Sequence, residues 1–137
     1  MKYNQIIKTL IFLFVSLTAV CIYAANSFPI VMSTLNNQGF TEYTHIGSSK
    51  VGTRDSISFD FETESGRNYA IVGFGAENFA LVLRKKGLDI KTERSGWFNY
   101  DDVAVMYFSS GDGGKYTIVL ENKAGSANPG AALFRKK

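Results

Sequence analysis

Cysteine is nearly absent from this 137-residue chain: Cys21 is the only one, and it lies in the amino-terminal apolar stretch. Once that stretch is removed, no disulfide can staple the domain, and no thiolate nucleophile or cysteine metal site can exist. Histidine is as scarce, since His45 stands alone, and this excludes a multi-histidine metal site and the HExxH arrangement. A Ser-His-Asp triad on His45 stays formally open, because its partners need not be adjacent in sequence, but no Gly-x-Ser-x-Gly elbow accompanies it. A loop or surface histidine is the plainer reading. Also lacking are an internal repeat, a low-complexity tract and a linker that would divide the chain.

The amino terminus supplies what the rest lacks, a long apolar run. Lys2 and Lys8 precede the apolar residues 10–20, and Ala24 follows as a small residue, which is the charged, hydrophobic and cleavage pattern of a secretory signal. Residues 1–24 are expected to be a signal peptide cut after Ala24, leaving one domain over residues 25–137. An uncleaved anchor competes, but the apolar stretch 10–25 falls short of the ~20 residues that span a hydrocarbon core. Lipidation at Cys21 also competes, although Val20 stands where Gly, Ala or Ser normally precedes a lipid-modified cysteine. Cleavage removes Lys2 and Lys8 and lowers the formal charge from +3 to about +1, so the basic isoelectric point gives no support for a nucleic-acid partner.

Beyond residue 55 the dominant pattern is period two. Ile57, Phe59 and Phe61 alternate with Ser56, Ser58, Asp60 and Glu62, which predicts a strand with one buried and one wet face. Residues 68–74 and 79–83 are apolar runs that predict two central strands joined by a turn, and 88–92 is a weaker strand. Residues 103–108 and 116–120 flank Ser109, Ser110, Gly111, Asp112, Gly113 and Gly114, a segment favouring positive φ, and are expected to form a hairpin. After a loop punctuated by Pro129, residues 131–134 can add a last strand. In residues 27–51, a first strand over 30–35 and then loop are expected, with a peripheral helix between Thr34 and Lys50 as an alternative. Seven or eight short strands with glycine-rich turns indicate an all-β fold, a single jelly-roll-like antiparallel β-sandwich or a small barrel.

The order of the 57–61 strand, Gly66-Arg67-Asn68-Tyr69-Ala70-Ile71, Phe79-Ala80-Leu81-Val82-Leu83 leading to Gly87, and Gly113-Gly114-Lys115-Tyr116-Thr117-Ile118-Val119-Leu120 resembles the bacterial pre-peptidase C-terminal domain over about residues 52–134. The resemblance implies a jelly-roll-like β-sandwich of secreted proteins, often appended to peptidases and similar in shape to carbohydrate-binding and adhesive modules. Asn78 stands where that family usually carries an acidic residue, with Glu77 one place earlier, and no peptidase domain precedes it. The resemblance bears on fold more than on function.

Little here suits catalysis. Gly73-Phe74-Gly75 lacks the third glycine and the helix of a dinucleotide loop and reads as a strand-terminal turn. Glu62 with Glu64, and Asp101 with Asp102, could serve as carboxylate pairs, but a glycosidase needs a cleft between them, and solvated surface charges are the plainer reading. Asp101 and Asp102 form a weak calcium candidate that would need carbonyls from a neighbouring loop; Asp112 lies at the far end of the intervening strand.

The segment best suited to binding is Trp97, Phe98, Asn99 and Tyr100, three rings and an amide beside two aspartates. Flat rings stack on sugars or fill partner pockets while amides and carboxylates fix hydroxyls. The competing reading buries Trp97 as a core plug. Gly96 and Asn99 interrupt the alternation that would anchor the ring, so partial exposure is expected. The sequence thus predicts an exported, periplasmic or extracellular, non-catalytic binding module for a glycan or another envelope or extracellular protein, with no stable membrane insertion after cleavage. A small secreted hydrolase, or an accessory subunit pairing through a sheet edge, is the alternative.

Overall fold

The computed structural model describes residues 27–137, so the signal-peptide reading and the cut after Ala24 lie outside the described residues. Among the described residues no helix is long and apolar enough to cross a membrane. The described residues form one helix, α1 (Phe28–Asn37), and eight strands: β1 (Phe40–Ser48), β2 (Ser56–Thr63), β3 (Asn68–Phe74), β4 (Phe79–Lys85), β5 (Leu88–Arg94), β6 (Val103–Ser109), β7 (Gly114–Asn122) and β8 (Gly130–Lys136). Two four-stranded antiparallel sheets have the orders β1-β8-β3-β6 and β2-β7-β4-β5. This is the strand order of a jelly roll, and the all-β sandwich expected from the alternation is the fold observed.

Three local expectations are corrected. The strand expected over 30–35 is helical: Phe28, Val31 and Leu35 follow a three- and four-residue spacing, Pro29 occupies the first turn, and all three apolar residues are buried. The loop expected after it is largely strand β1, whose register shifts between Phe40 and Glu42 and between His45 and Gly47. Each shift offsets the inward face by a residue, which erases the period-two signal.

The third correction concerns β6 and β7, which do not form a hairpin but enter different sheets. Turn glycines dictate that the chain reverses, not which sheet it enters next. Here Met106 of β6 and Ile118 and Leu120 of β7 all turn into one core from opposite sheets. Between the sheets, that inner core is built on Phe61, Ile71, Phe79, Leu81, Met106, Ile118 and Leu120. Ile57 and Phe59 pack against it, as the alternation in β2 predicts. At one rim the approach is so close that a Cβ on Gly47 would sit 2.4 Å from the Phe59 ring.

A second apolar layer lies outside the first sheet, where α1 roofs Ala70, Val72, Phe74, Val105, Ala132 and Phe134. Phe28 meets Phe74 edge-on with ring centroids 5.3 Å apart. Trp97 and Tyr100 pack against this layer, which brings the 97–100 segment to one end of the sandwich beside the start of α1.

Candidate functional site

The 97–100 segment is a tight hairpin on the connection between β5 and β6. Tyr100 N donates to Trp97 O at 2.9 Å, Asn99 N to Gly96 O at 3.0 Å, and the amides of Gly96 and Trp97 both reach Val103 O. The central residues have positive φ, 47° at Phe98 and 67° at Asn99, the pattern of a type I′ turn. Asparagine tolerates that conformation, whereas a bulky aromatic in it is an outlier costing of order 1 kcal/mol. Phe98 is 72% exposed.

The four predicted site residues divide by role. Trp97 is partly buried, stacks on Tyr100 at 6.2 Å and takes the edge of Phe98 at 4.5 Å. Trp97 and Tyr100 therefore form a base fixed to the second apolar layer, while Phe98 and Asn99 project from it. The partial exposure expected of Trp97 is observed, and the ring most open to a partner is Phe98.

Beside the hairpin, Tyr100, Asp101, Asp102, Glu77, Asn78 and Ser95 line an open trough that runs on toward Lys50 and the 124–128 loop. That loop is held by buried Asn122, whose Nδ2 donates to Gly52 O at 3.0 Å and Gly125 O at 2.8 Å. The trough is acidic, with Lys50 as the cation on its far wall.

Asp102 has a task that the sequence did not announce. The hydroxyl of buried Ser27, at the start of α1, lies 2.8 and 2.9 Å from its two carboxylate oxygens. A carboxylate at a helix N-terminus also suits the dipole. The 75-residue separation leaves no local signal of this contact. A calcium ion at Asp101 and Asp102 would have to share Asp102 with Ser27. Asp112 lies at the opposite end, and no group of three or more His, Cys, Asp or Glu side chains suited to a metal gathers among the described residues.

The remaining candidates are dispersed. His45 sits on β1 opposite Ala132, and its partial burial pushes its pKa below the usual value. Glu64 is bound in ion pairs with Arg67 and with Arg135, at 2.6 Å for the latter, while Glu62 stays exposed on β2.

No family model matches the chain, and no curated protein matches it in sequence. Solved structures do. The periplasmic lysozyme inhibitor of g-type lysozyme from Aeromonas hydrophila, PliG, aligns at 12% identity over 69% of this chain and 86% of its own, with a TM-score of 0.53. The pre-peptidase C-terminal domain of collagenase from Bacillus anthracis aligns at 14% identity over 66% of this chain and 89% of its own, with a TM-score of 0.47. CsCBM6-3 from Clostridium stercorarium, solved in complex with cellobiose, aligns at 11% identity over 73% of this chain and 90% of its own, with a TM-score of 0.40. At these identities the likeness is one of fold, and the domain that the sequence resembles is among the structures that share the β-sandwich.

Proposed function

We propose that this domain is an exported, non-catalytic binding module that recognises a glycan or another envelope or extracellular protein through the Phe98 hairpin and the acidic trough beside it. The observation that carries this reading is Phe98 itself: a large apolar ring held out to solvent in a backbone conformation that penalises it. Folding gains only the T-shaped contact with Trp97 from that arrangement, and local strain retained against stability is characteristic of recognition and catalytic sites. The Trp97 and Tyr100 base restrains the tip in advance, which reduces the entropy lost on binding. Glu77, Asp101 and Asp102 favour a neutral or cationic ligand surface over an anionic one. The Aeromonas hydrophila protein of similar fold is an inhibitor of g-type lysozyme, so a sandwich of this build can serve by binding a protein.

Two experiments test the proposal. Wild type and Phe98→Ala are screened side by side against a glycan array and against envelope proteins. A ligand held by the wild type and lost by the folded variant is expected; identical ligand sets would remove the hairpin from the site. For export, protein from a secretion-competent host is expected to begin at Ala25 by intact mass and to contain no titratable thiol, and a retained Met1 in the membrane fraction would refute it.

A further inference from the structure

Helix α1 roofs only part of the outer face of the first sheet. Where Gln38 leads from the helix toward β1, a depression of about 240 Å³ opens on that face, lined by Phe40, Asn68, Tyr107, Ser109 and Lys136 among others. The register brings these residues together. Asn68 pairs with Ser109, and one step along, Tyr69 pairs with Arg135, the neighbour of Lys136. By alternation Asn68 and Lys136 share the outer face with buried Ala70 and Phe134, and Tyr107 and Ser109 share it with buried Val105.

Folding leaves hydrogen-bonding capacity unused here. Asn68 Oδ1 accepts the Ser109 hydroxyl at 2.6 Å, and its Nδ2 has no partner among the described residues. Lys136 Nζ lies 5.6 Å from the centroid of the Phe40 ring and meets no carboxylate among the described residues. Tyr107 is 38% exposed yet fixed: its hydroxyl donates to Gln38 Oε1 at 2.9 Å, and its ring packs on Phe40 with centroids 5.5 Å apart. The surroundings are cationic. Helix α1 carries no charged residue, Lys91 Nζ donates to Tyr107 O at 2.6 Å, and the carboxylates of Glu42 and Glu64 are both held by Arg135.

We infer that this depression is a second binding site, separate from the Phe98 hairpin, for a carboxylate-bearing sugar, a uronic acid residue of an acidic glycan. The carboxylate accepts from Lys136 Nζ and Asn68 Nδ2, the first a charge-assisted bond. The apolar face of the sugar lies on the Tyr107 ring. Ser109 Oγ, whose proton is committed to Asn68, accepts from a sugar hydroxyl. A neutral sugar would leave the Lys136 charge unanswered. A peptide carboxylate would leave the fixed ring idle, and a peptide terminus is ordinarily captured by clustered backbone amides, whereas β3, on the floor of the depression, is paired on both sides.

Isothermal titration calorimetry of the purified protein with trimers of galacturonic, glucuronic and mannuronic acid tests the inference, with circular dichroism verifying that each variant is folded. At least one trimer is expected to bind with a Kd below roughly 1 mM. Its methyl ester should bind about tenfold more weakly or not at all, because the ester removes the charge that Lys136 faces. Lys136→Gln, which keeps most of the aliphatic stem, and Tyr107→Ala should each weaken binding of the acid by about tenfold. Phe98→Ala should bind the acid like the wild type, so failure of this site and failure of the hairpin are read separately. No binding of any of the three acids at roughly 1 mM, equal affinity for acid and ester, triglutamate bound as tightly as the sugar, affinity unchanged in Lys136→Gln, or affinity lost in Phe98→Ala would each overturn the assignment.

Discussion

The two ends of the sandwich are built from similar turn-rich connections and come out opposite. At the end where β6 passes to β7, the polar groups are consumed by one another. Buried Ser110 donates its hydroxyl toward Glu64 O and accepts from Arg67 N at 3.0 Å, and Tyr116 OH donates to Ser110 O at 2.9 Å. Lys85 lies 4.7 Å above the Tyr116 ring and donates to Gly113 O at 2.8 Å. Gly113, at φ 76°, fits against the backbone of Ser65, where a Cβ would come within 2.7 Å. At the other end, Phe98 stands in solvent and the trough presents its acidic side chains to water. One end is closed by internal pairing; the other commits Asp102 to Ser27 but leaves the Phe98 ring in solvent, and recognition requires groups that folding has not already used.

The largest expected effect lies at the closed end. Tyr116 is buried and touches Phe61, Phe108 and Lys85, so Tyr116→Ala should cost about 3–5 kcal/mol in denaturant unfolding. A loss below about 1 kcal/mol would mean that this end is not the clasp described. Binding by the folded fraction should be unaffected.

The closed end was also the more legible one. Ser109, Ser110, Gly111, Asp112, Gly113 and Gly114 announce a turn, and Gly111, Gly113 and Gly114 do take positive φ. The period-two face of Ile57, Phe59 and Phe61 and the apolar runs of β3 and β4 were legible because local alternation and burial coincide there. What escaped depends on distant partners. Strand β1 lost its alternation to two register shifts, α1 is stabilised by the sheet it roofs, and the sheet that receives β7 is decided across the core. At the candidate site, the aromatic composition of residues 97–100 was readable, but Ser27 on Asp102 and the positive φ of Phe98 were not. Phenylalanine carries no propensity for that conformation.

At the open end the expected effects are smaller. Trp97→Ala should lower stability by about 2 kcal/mol, roughly half the cost of a fully buried large aromatic, because Trp97 is only partly buried. It should also weaken binding by loosening the base of the tip. A native emission as blue-shifted and quencher-resistant as that of a core indole would contradict the partial burial. Ser27→Ala should cost about 1–2 kcal/mol by removing the donor to Asp102 at the start of α1. Amide hydrogen exchange should then rise first in α1, and protection unchanged there would show that the clamp contributes nothing.

The smallest effect is the most discriminating. Phe98 is exposed, so deleting its ring removes little packing, and Phe98→Ala should lie within about 0.5 kcal/mol of the parent. Phe98→Gly removes the same ring and also relieves the steric cost of a Cβ at φ 47°. Glycine should therefore be the more stable of the two by about 1 kcal/mol, the reverse of the order found where φ is negative. Both variants should lose ligand binding alike, because both lack the ring. A glycine variant less stable than the alanine variant would show that the turn does not hold Phe98 in the left-handed region, and the ring's exposure would then carry no strain. Binding retained by either variant would leave the turn intact but move the contact to Tyr100 and the trough.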